Sequence, residues 1–166
     1  MFLVALALAA IDPPPPRPMA VEVARDTISD AVKASATILD AGQRLTLACD
    51  PQDFGGIRVS FTSSRWLARP SFVTRERPMV YRFDSDQPER QVWVMRDRGA
   101  FFGGRDRVGR FLRGLITAEQ LVIRTRDVED HPVDLTFRIS GAYPAVRELL
   151  EACGESELRR RLYGPA

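Results

Sequence analysis

Lysine and histidine are almost absent from this chain, and cysteine is scarce. Lys33 is the only lysine, His131 the only histidine, and Cys49 and Cys153 the only cysteines. A single histidine leaves no histidine cluster for a metal, and neither Cys-x-x-Cys nor His-Glu-x-x-His occurs. The Gly-x-Ser-x-Gly elbow of serine hydrolases is missing too. His131 stands in Asp130-His131-Pro132, which is turn chemistry. A Cys–His nucleophile pair would need an exposed cysteine, and both cysteines fall on predicted buried faces. No catalytic residue, metal ligand or cofactor site is therefore read from the sequence. Internal repeats are also lacking.

What is present is an ordinary globular composition. A length of 166 residues is a prior for one domain with a sizeable core. The formal net charge of +2 points to no particular partner. The cations are arginine throughout, apart from Lys33. Arginine suits bidentate contacts to carboxylate and phosphate, although GC-rich codon usage is the plainer explanation. Residues 2–10, FLVALALAA, are wholly apolar. They are too short for a membrane span, which takes about 20 residues, but long enough for the core of a signal peptide. Ala7-Leu8-Ala9 supplies a small-x-small cleavage pattern, and the n-region carries only the amino group of Met1. Residues 1–10 are thus expected to be a leader, and 11–20, with prolines at 13–16 and 18, an extended linker.

Period-2 alternation dominates the remainder. Val32, Ala34, Ala36 and Ile38 fall on one face, with Lys33, Ser35 and Thr37 on the other. Asp40-Ala41-Gly42 reads as a turn, and Leu45, Leu47 and Cys49 follow. Ile57, Val59 and Phe61, then Met79, Tyr81 and Phe83, continue the pattern. Val92 to Met95 is a short apolar run. Leu121 and Ile123 oppose Arg124 and Arg126, and Val133, Leu135, Phe137 and Ile139 oppose Asp134, Thr136 and Arg138. This predicts antiparallel strands with one face buried and one solvated. Helical spacing appears twice, at Val108, Phe111, Leu112 and Leu115 and at Val146, Leu149, Leu150 and Cys153. Ser140 is the expected N-cap of the second helix, Pro144 lies in its first turn and Gly154 stops it. The predicted class is α+β. An antiparallel sheet or small sandwich carries an inserted amphipathic helix and a C-terminal helix packed on the sheet. Residues 21–154 form the β-rich domain. Residues 155–166 form a tail, or a further helical turn around Leu158 and Leu162.

Several constellations bear on function. Cys49 and Cys153 both point into the core, and an even count behind a leader favours a disulfide; the alternative is two buried thiols. Gly103-Gly104 before a helix is a weak phosphate-cradling signal, lacking the P-loop Lys-Ser/Thr. Segment 96–113 interleaves Arg96, Arg98, Arg105, Arg107, Arg110 and Arg113 with Phe101, Phe102 and Phe111. That mixture can bind nucleic acid, but a solvated amphipathic helix with core phenylalanines is the stronger reading. Asp84, Asp86 and Asp97 could in principle serve a glycosidase, though scattered aspartates are more often turn-makers. Alternation also places Arg44, Arg58, Arg82, Arg124 and Arg138 opposite the core. If their strands share a sheet, they are candidates for a surface that binds an anionic partner, with Asp134 the main acid nearby. Separate, solvated arginines are the alternative.

From Val21 onward the landmarks resemble a known family. Val23-Ala24-Arg25-Asp26-Thr27 precedes Ser29-Asp30 and a strand ending in Leu47-Ala48-Cys49. Val80-Tyr81-Arg82-Phe83-Asp84 is followed by Trp93, Asp97 and Ala100-Phe101-Phe102. Phe137-Arg138-Ile139-Ser140-Gly141 then leads to Ala145, Leu149, Leu150 and Cys153. Over residues 21–154 this spaced pattern resembles the VasI-like family of periplasmic proteins associated with type VI secretion. The resemblance implies a periplasmic, non-enzymatic accessory. The expected function is therefore that of an exported envelope protein, periplasmic or secreted, binding a protein or an envelope polymer. Neither a cofactor nor a membrane span in the mature chain is expected. An envelope hydrolase and a nucleic-acid binder using 96–113 are the competing expectations. The leader reading is checked by mass spectrometry of the protein from its native host. The mature chain is expected to lack residues 1–9, and an intact Met1 in a cytosolic fraction would refute it.

Overall fold

In the computed structural model, the described residues are 19–49, 56–69 and 75–164. The expected leader and most of the expected linker lie outside them. Among the described residues one curled sheet of nine strands contains every strand, which is the single-sheet option rather than the small sandwich. In chain order the strands are β1 (Ala20–Arg25), β2 (Val32–Asp40), β3 (Gln43–Cys49), β4 (Ile57–Thr62), β5 (Arg75–Phe83), β6 (Glu89–Arg96) and β7 (Gly99–Phe102). Helix α1 (Arg105–Thr117) follows, then β8 (Gln120–Arg126), β9 (Pro132–Arg138), α2 (Ala142–Ala152) and α3 (Ser156–Tyr163). Neighbours in the sheet run β1-β2-β3-β4-β7-β6-β5-β8-β9. Every pairing is antiparallel.

Local chemistry explains the strand ends. Asp40 pairs with Gln43, leaving Ala41-Gly42 as a two-residue turn with φ of 47° and 79°. Both central residues are left-handed, as a hairpin turn matching the sheet's twist requires. Asp26 accepts hydrogen bonds from the backbone of Ile28 and Ser29 and so closes the β1–β2 turn. Pro132 opens β9, where a missing N–H does least harm.

The buried residues are those that alternation marks. Ala34, Ala36, Ile38, Leu45, Leu47 and Cys49 line the inner face of β2 and β3, and Val108, Phe111, Leu112 and Leu115 line α1. Phe111 is the centre of the inner face. Its ring centroid lies 5.3 Å from both Tyr81 and Phe83, 5.5 Å from Phe102 and 6.2 Å from Trp93, each edge-on. Such pairs add about 0.5–1.5 kcal/mol each beyond area burial. The sheet curls around this helix until β9 approaches β2. There the buried Asp40 carboxylate accepts hydrogen bonds from the Arg138 backbone N–H (2.9 Å), Nε (3.1 Å) and Nη2 (2.9 Å).

Several expectations are corrected. The apolar run 92–95 is divided between two faces: in β6, Gln91, Trp93 and Met95 face inward while Val92 and Val94 face out. Strand β7 was not anticipated, because Phe101 and Phe102 look like part of the arginine-rich segment. The N-cap of α2 is Gly141 (φ 81°), with no side-chain cap bond, rather than Ser140. Of the two readings of the segment after Gly154, the helical one holds: α3 forms there and buries Leu158. Cys153 is the C-cap of α2 and half-buried, one step past the buried stripe.

Cys49, at the end of β3, is disulfide-bonded to Cys153, with Cα atoms 6.0 Å apart. The bond closes a loop spanning a sequence separation of 104 residues. Replacing both cysteines with alanine is expected to lower unfolding stability by about 2–5 kcal/mol, read by urea titration. A second test concerns Gly114, where an added Cβ would lie 2.3 Å from the buried Phe83 ring. Overpacking of about 1–3 kcal/mol then opposes the roughly 1 kcal/mol that alanine gains over glycine in a helix. Gly114→Ala is expected to lower the melting temperature rather than raise it.

Candidate partner-binding face

With the inner face filled by helices, the second set of alternating residues is left on the outer face. On β2, β3 and β4 half of that set is hydroxyl-bearing, with Ser35, Thr37, Thr46, Ser60 and Thr62. On β7, β6, β5 and β8 it is mixed: Phe101, Val94, Val92, Pro78, Val80 and Val122 stand among Glu76, Arg82, Arg90, Arg96, Arg124 and Arg126. Register makes these residues contiguous. Phe101 lies opposite Val94, Val92 opposite Pro78, and Val80 opposite both Arg90 and Arg124. Val92 remains 45% exposed. Solvent-facing strand positions are normally polar, so a connected apolar stripe of this kind needs a reason.

Arginines border the stripe. A groove of about 370 Å³ is lined by Pro78, Val80, Pro132, Arg90 and Arg126, and reaches Arg77, which alternation assigns to the inner face of β5 with Met79. A second groove of about 140 Å³ continues it past Val122, Pro88 and Arg82, with Val80 and Arg124 common to both. Arg124 donates through Nε and Nη2 to Asp134 at 2.7 and 2.6 Å, and this bond holds the Asp134 carboxyl below the usual carboxylate range. Arg126 donates to the Asp130 carboxylate at 3.1 Å. Among the described residues Arg77, Arg82 and Arg90 have no acidic partner.

Of the five arginines placed on the outer face by alternation, the structure brings Arg82 and Arg124 together. Arg138 is tied to Asp40. Arg58 lies over the Phe101 ring, 5.4 Å from its centroid. β7 and β6 stand between β4 and β5, so Arg58 is about 14 Å from the β5 axis along the sheet, and Arg44 on β3 is farther still. The five do not form a common surface. Arg77 and Arg90, and the apolar floor between them, were missed. The signal for that floor was the Val92–Met95 run, apolar on both strand faces.

The other constellations resolve into structure. In segment 96–113, Phe102 and Phe111 are core, Arg98 stacks on Trp66 at 4.7 Å, and Arg105 pairs with Glu157 at 2.9 Å and with Glu155 at 3.7 Å. Gly103-Gly104 therefore leads into a helix start already faced by the chain's own carboxylates; Glu155 borders the small cleft beside Gly104. Asp84 caps the start of β8, accepting from Glu119 N–H at 3.1 Å and Gln120 N–H at 2.8 Å. Asp97 and Asp84 have positive φ in turns. Backbone bonds from Ser29 and Ile28 hold Asp26 below the usual carboxylate range. Desolvation of Asp127 is outweighed by backbone bonds from His131 and Glu129, so it too is held low. Asp26, Asp127 and Asp134 are thus biased toward the ionised form. Among the described residues no cluster of three or more histidines, cysteines or acids could hold a metal, and no helix is long and apolar enough to cross a membrane.

No protein-family model, curated protein or solved structure matches the chain.

Proposed function

We propose that this chain is an exported, non-catalytic envelope protein that works by binding another protein, and that it does so with the arginine-rimmed outer face of β6, β5 and β8. The observation that carries the proposal is the contiguity of Val92, Pro78, Val80 and Val122 on a sheet face that has no covering element among the described residues. Burial of such a stripe yields about 25 cal/mol per Å², and arginine is enriched at interfaces for its planar, multi-donor head. The Cys49–Cys153 disulfide fits an oxidising compartment, which supports export. The landmarks shared with the VasI-like family add a periplasmic accessory role in type VI secretion to this reading.

Photo-crosslinking in the native host tests the proposal. A photoreactive residue at Val92 is expected to give one discrete adduct, identified by mass spectrometry and re-measured with the purified pair. The same residue at Thr37, on the hydroxyl-rich half of the face, is expected to give none. Val80→Asp is expected to weaken the purified pair at least tenfold while leaving the melting temperature within a few degrees. Equal adducts from both positions, or none from Val92, would end the proposal.

A further inference from the structure

We infer that β1 is a dimerisation edge: a second copy of this chain adds its own β1 antiparallel to the first, across a two-fold axis at Val23. This edge is separate from the arginine-rimmed face of β6, β5 and β8, so the two surfaces stand or fall independently.

β1 ends the sheet and pairs with β2 alone. Its residues are exposed, apart from the half-buried Val21. The direction of its main-chain groups follows from the turn that joins it to β2. Asp26 N–H donates to the Ala31 carbonyl at 2.8 Å, in the same register as the strand pairing. Opposite residues of an antiparallel pair alternate between those that exchange hydrogen bonds and those that do not. Counting back from Asp26, Ala24, Glu22 and Ala20 turn their main-chain groups to β2. Val21, Val23 and Arg25 turn theirs away, and no main-chain hydrogen bond reaches them from any described residue. The pairing runs without a bulge, and β1 holds no proline or lysine. Of the usual protections of a sheet edge, β1 carries only the charges of Glu22 and Arg25.

The other end of the sheet is blunted. Ile139 N–H donates to the Glu119 carbonyl at 2.8 Å and Asp127 N–H to the His131 carbonyl at 2.9 Å. In that register Pro132, Asp134, Thr136 and Arg138 turn their main-chain groups away from β8. Pro132 has no N–H, and the Arg138 N–H goes to the Asp40 carboxylate at 2.9 Å. The outward groups of Asp134 and Thr136 lie between these two blocks, too short a run to take on a strand. Copies therefore cannot string together from β9 to β1 as a filament. A chain with one usable edge closes as a symmetric pair.

Hydrogen-bond parity selects the centre. With Val23 opposite its own copy, Val21 falls opposite the copy's Arg25. Each outward residue then meets an outward residue, and none is left over on either edge. Centring on Glu22 carries Arg25 past the start of the copy's strand and sets two glutamates opposite each other. Centring on Ala24 carries Val21 past the other end and sets Glu22 opposite Asp26. Like charges directly opposite are destabilising. The Val23 register puts Glu22 opposite Ala24 instead. It also sets the Val23 side chain, 55% exposed in the single chain, against its own copy, with Cα atoms about 5.5 Å apart.

Sedimentation velocity of the full-length, disulfide-bonded chain tests this. The average mass is expected to rise from one chain to two between about 1 and 500 µM, as suits a strand pair smaller than a standard interface, and to stop there. Val23→Pro removes a donor that points to the copy and not to β2, a position where an edge strand tolerates proline. It is expected to weaken the dimer at least tenfold, with circular dichroism unchanged and the melting temperature within a few degrees. Val23→Thr keeps the N–H and the branched shape and is expected to dimerise as wild type does. Should Val23→Pro lose its fold, Val23→Lys decides: like charges across the axis are expected to weaken the dimer at least tenfold. A mass fixed at one chain, growth beyond two chains, or a folded Val23→Pro or Val23→Lys that dimerises like wild type would each overturn the inference. Loss of the dimer in Val80→Asp but not in Val23→Pro would place the contact on the outer face and overturn it as well.

Discussion

Edge-on packing of Phe111 against Tyr81, Phe83, Trp93 and Phe102 is the contact on which the curved sheet depends. β5, β6 and β7 each send an aromatic side chain inward, and all of them converge on this one ring of α1. A flat sheet could not bring three strands onto a single side chain, so the strands bend around the helix. Close approach is possible because the next turn of α1 is Gly114, whose missing Cβ leaves room for the Phe83 ring. The bend then carries β9 toward β2. No backbone ladder joins those strands, and Asp40 closes the gap by accepting both backbone and guanidinium hydrogen bonds from Arg138.

Filling the inner face has a consequence for the outer one. Alternation leaves every second residue pointing away from the helices, and those residues divide into two territories. The β2–β4 half carries serine and threonine, which suit a solvated strand face. The β6–β5–β8 half carries valines and Pro78 among arginines and Glu76. The prolines supply no donor to a ladder and keep the surface aliphatic. A face of this kind gains free energy when a partner covers it, which is the physical basis of the proposed binding role.

The abundance of arginine is divided among distinct tasks. Arg138 ties the two ends of the curled sheet, Arg124 and Asp134 brace neighbouring strands, and Arg105 joins the start of α1 to the last helical segment through Glu155 and Glu157. Arg58 and Arg98 lie over the rings of Phe101 and Trp66. The exposed pairs among these, such as Arg124–Asp134, contribute little stability each, about 0–1 kcal/mol. On the outer face Arg82 and Arg90 are left without an acidic partner among the described residues.

Which residues are buried was legible in the sequence, because strand and helix periods are local: a two-residue repeat marks Leu45, Leu47 and Cys49, and a 3.6-residue repeat marks Phe111 and Leu115. The disulfide was legible for the same reason, since both cysteines fall at or beside buried positions of their own elements. Alternation also told which face Arg82 and Arg124 occupy. It could not tell which strands are neighbours, because register is set by pairing between segments far apart in the chain. Strand β7 shows the limit: four residues between a hairpin turn and a helix carry too short a period to be seen, yet β7 joins β4 to β6 and so sets the order of the whole sheet. That order separates Arg58 from Arg82, places Arg90 across from Val80, and turns an apolar run at 92–95 into one inner stripe and one outer stripe. Only the tertiary structure could decide this, since the pairing that puts those residues side by side is a long-range one.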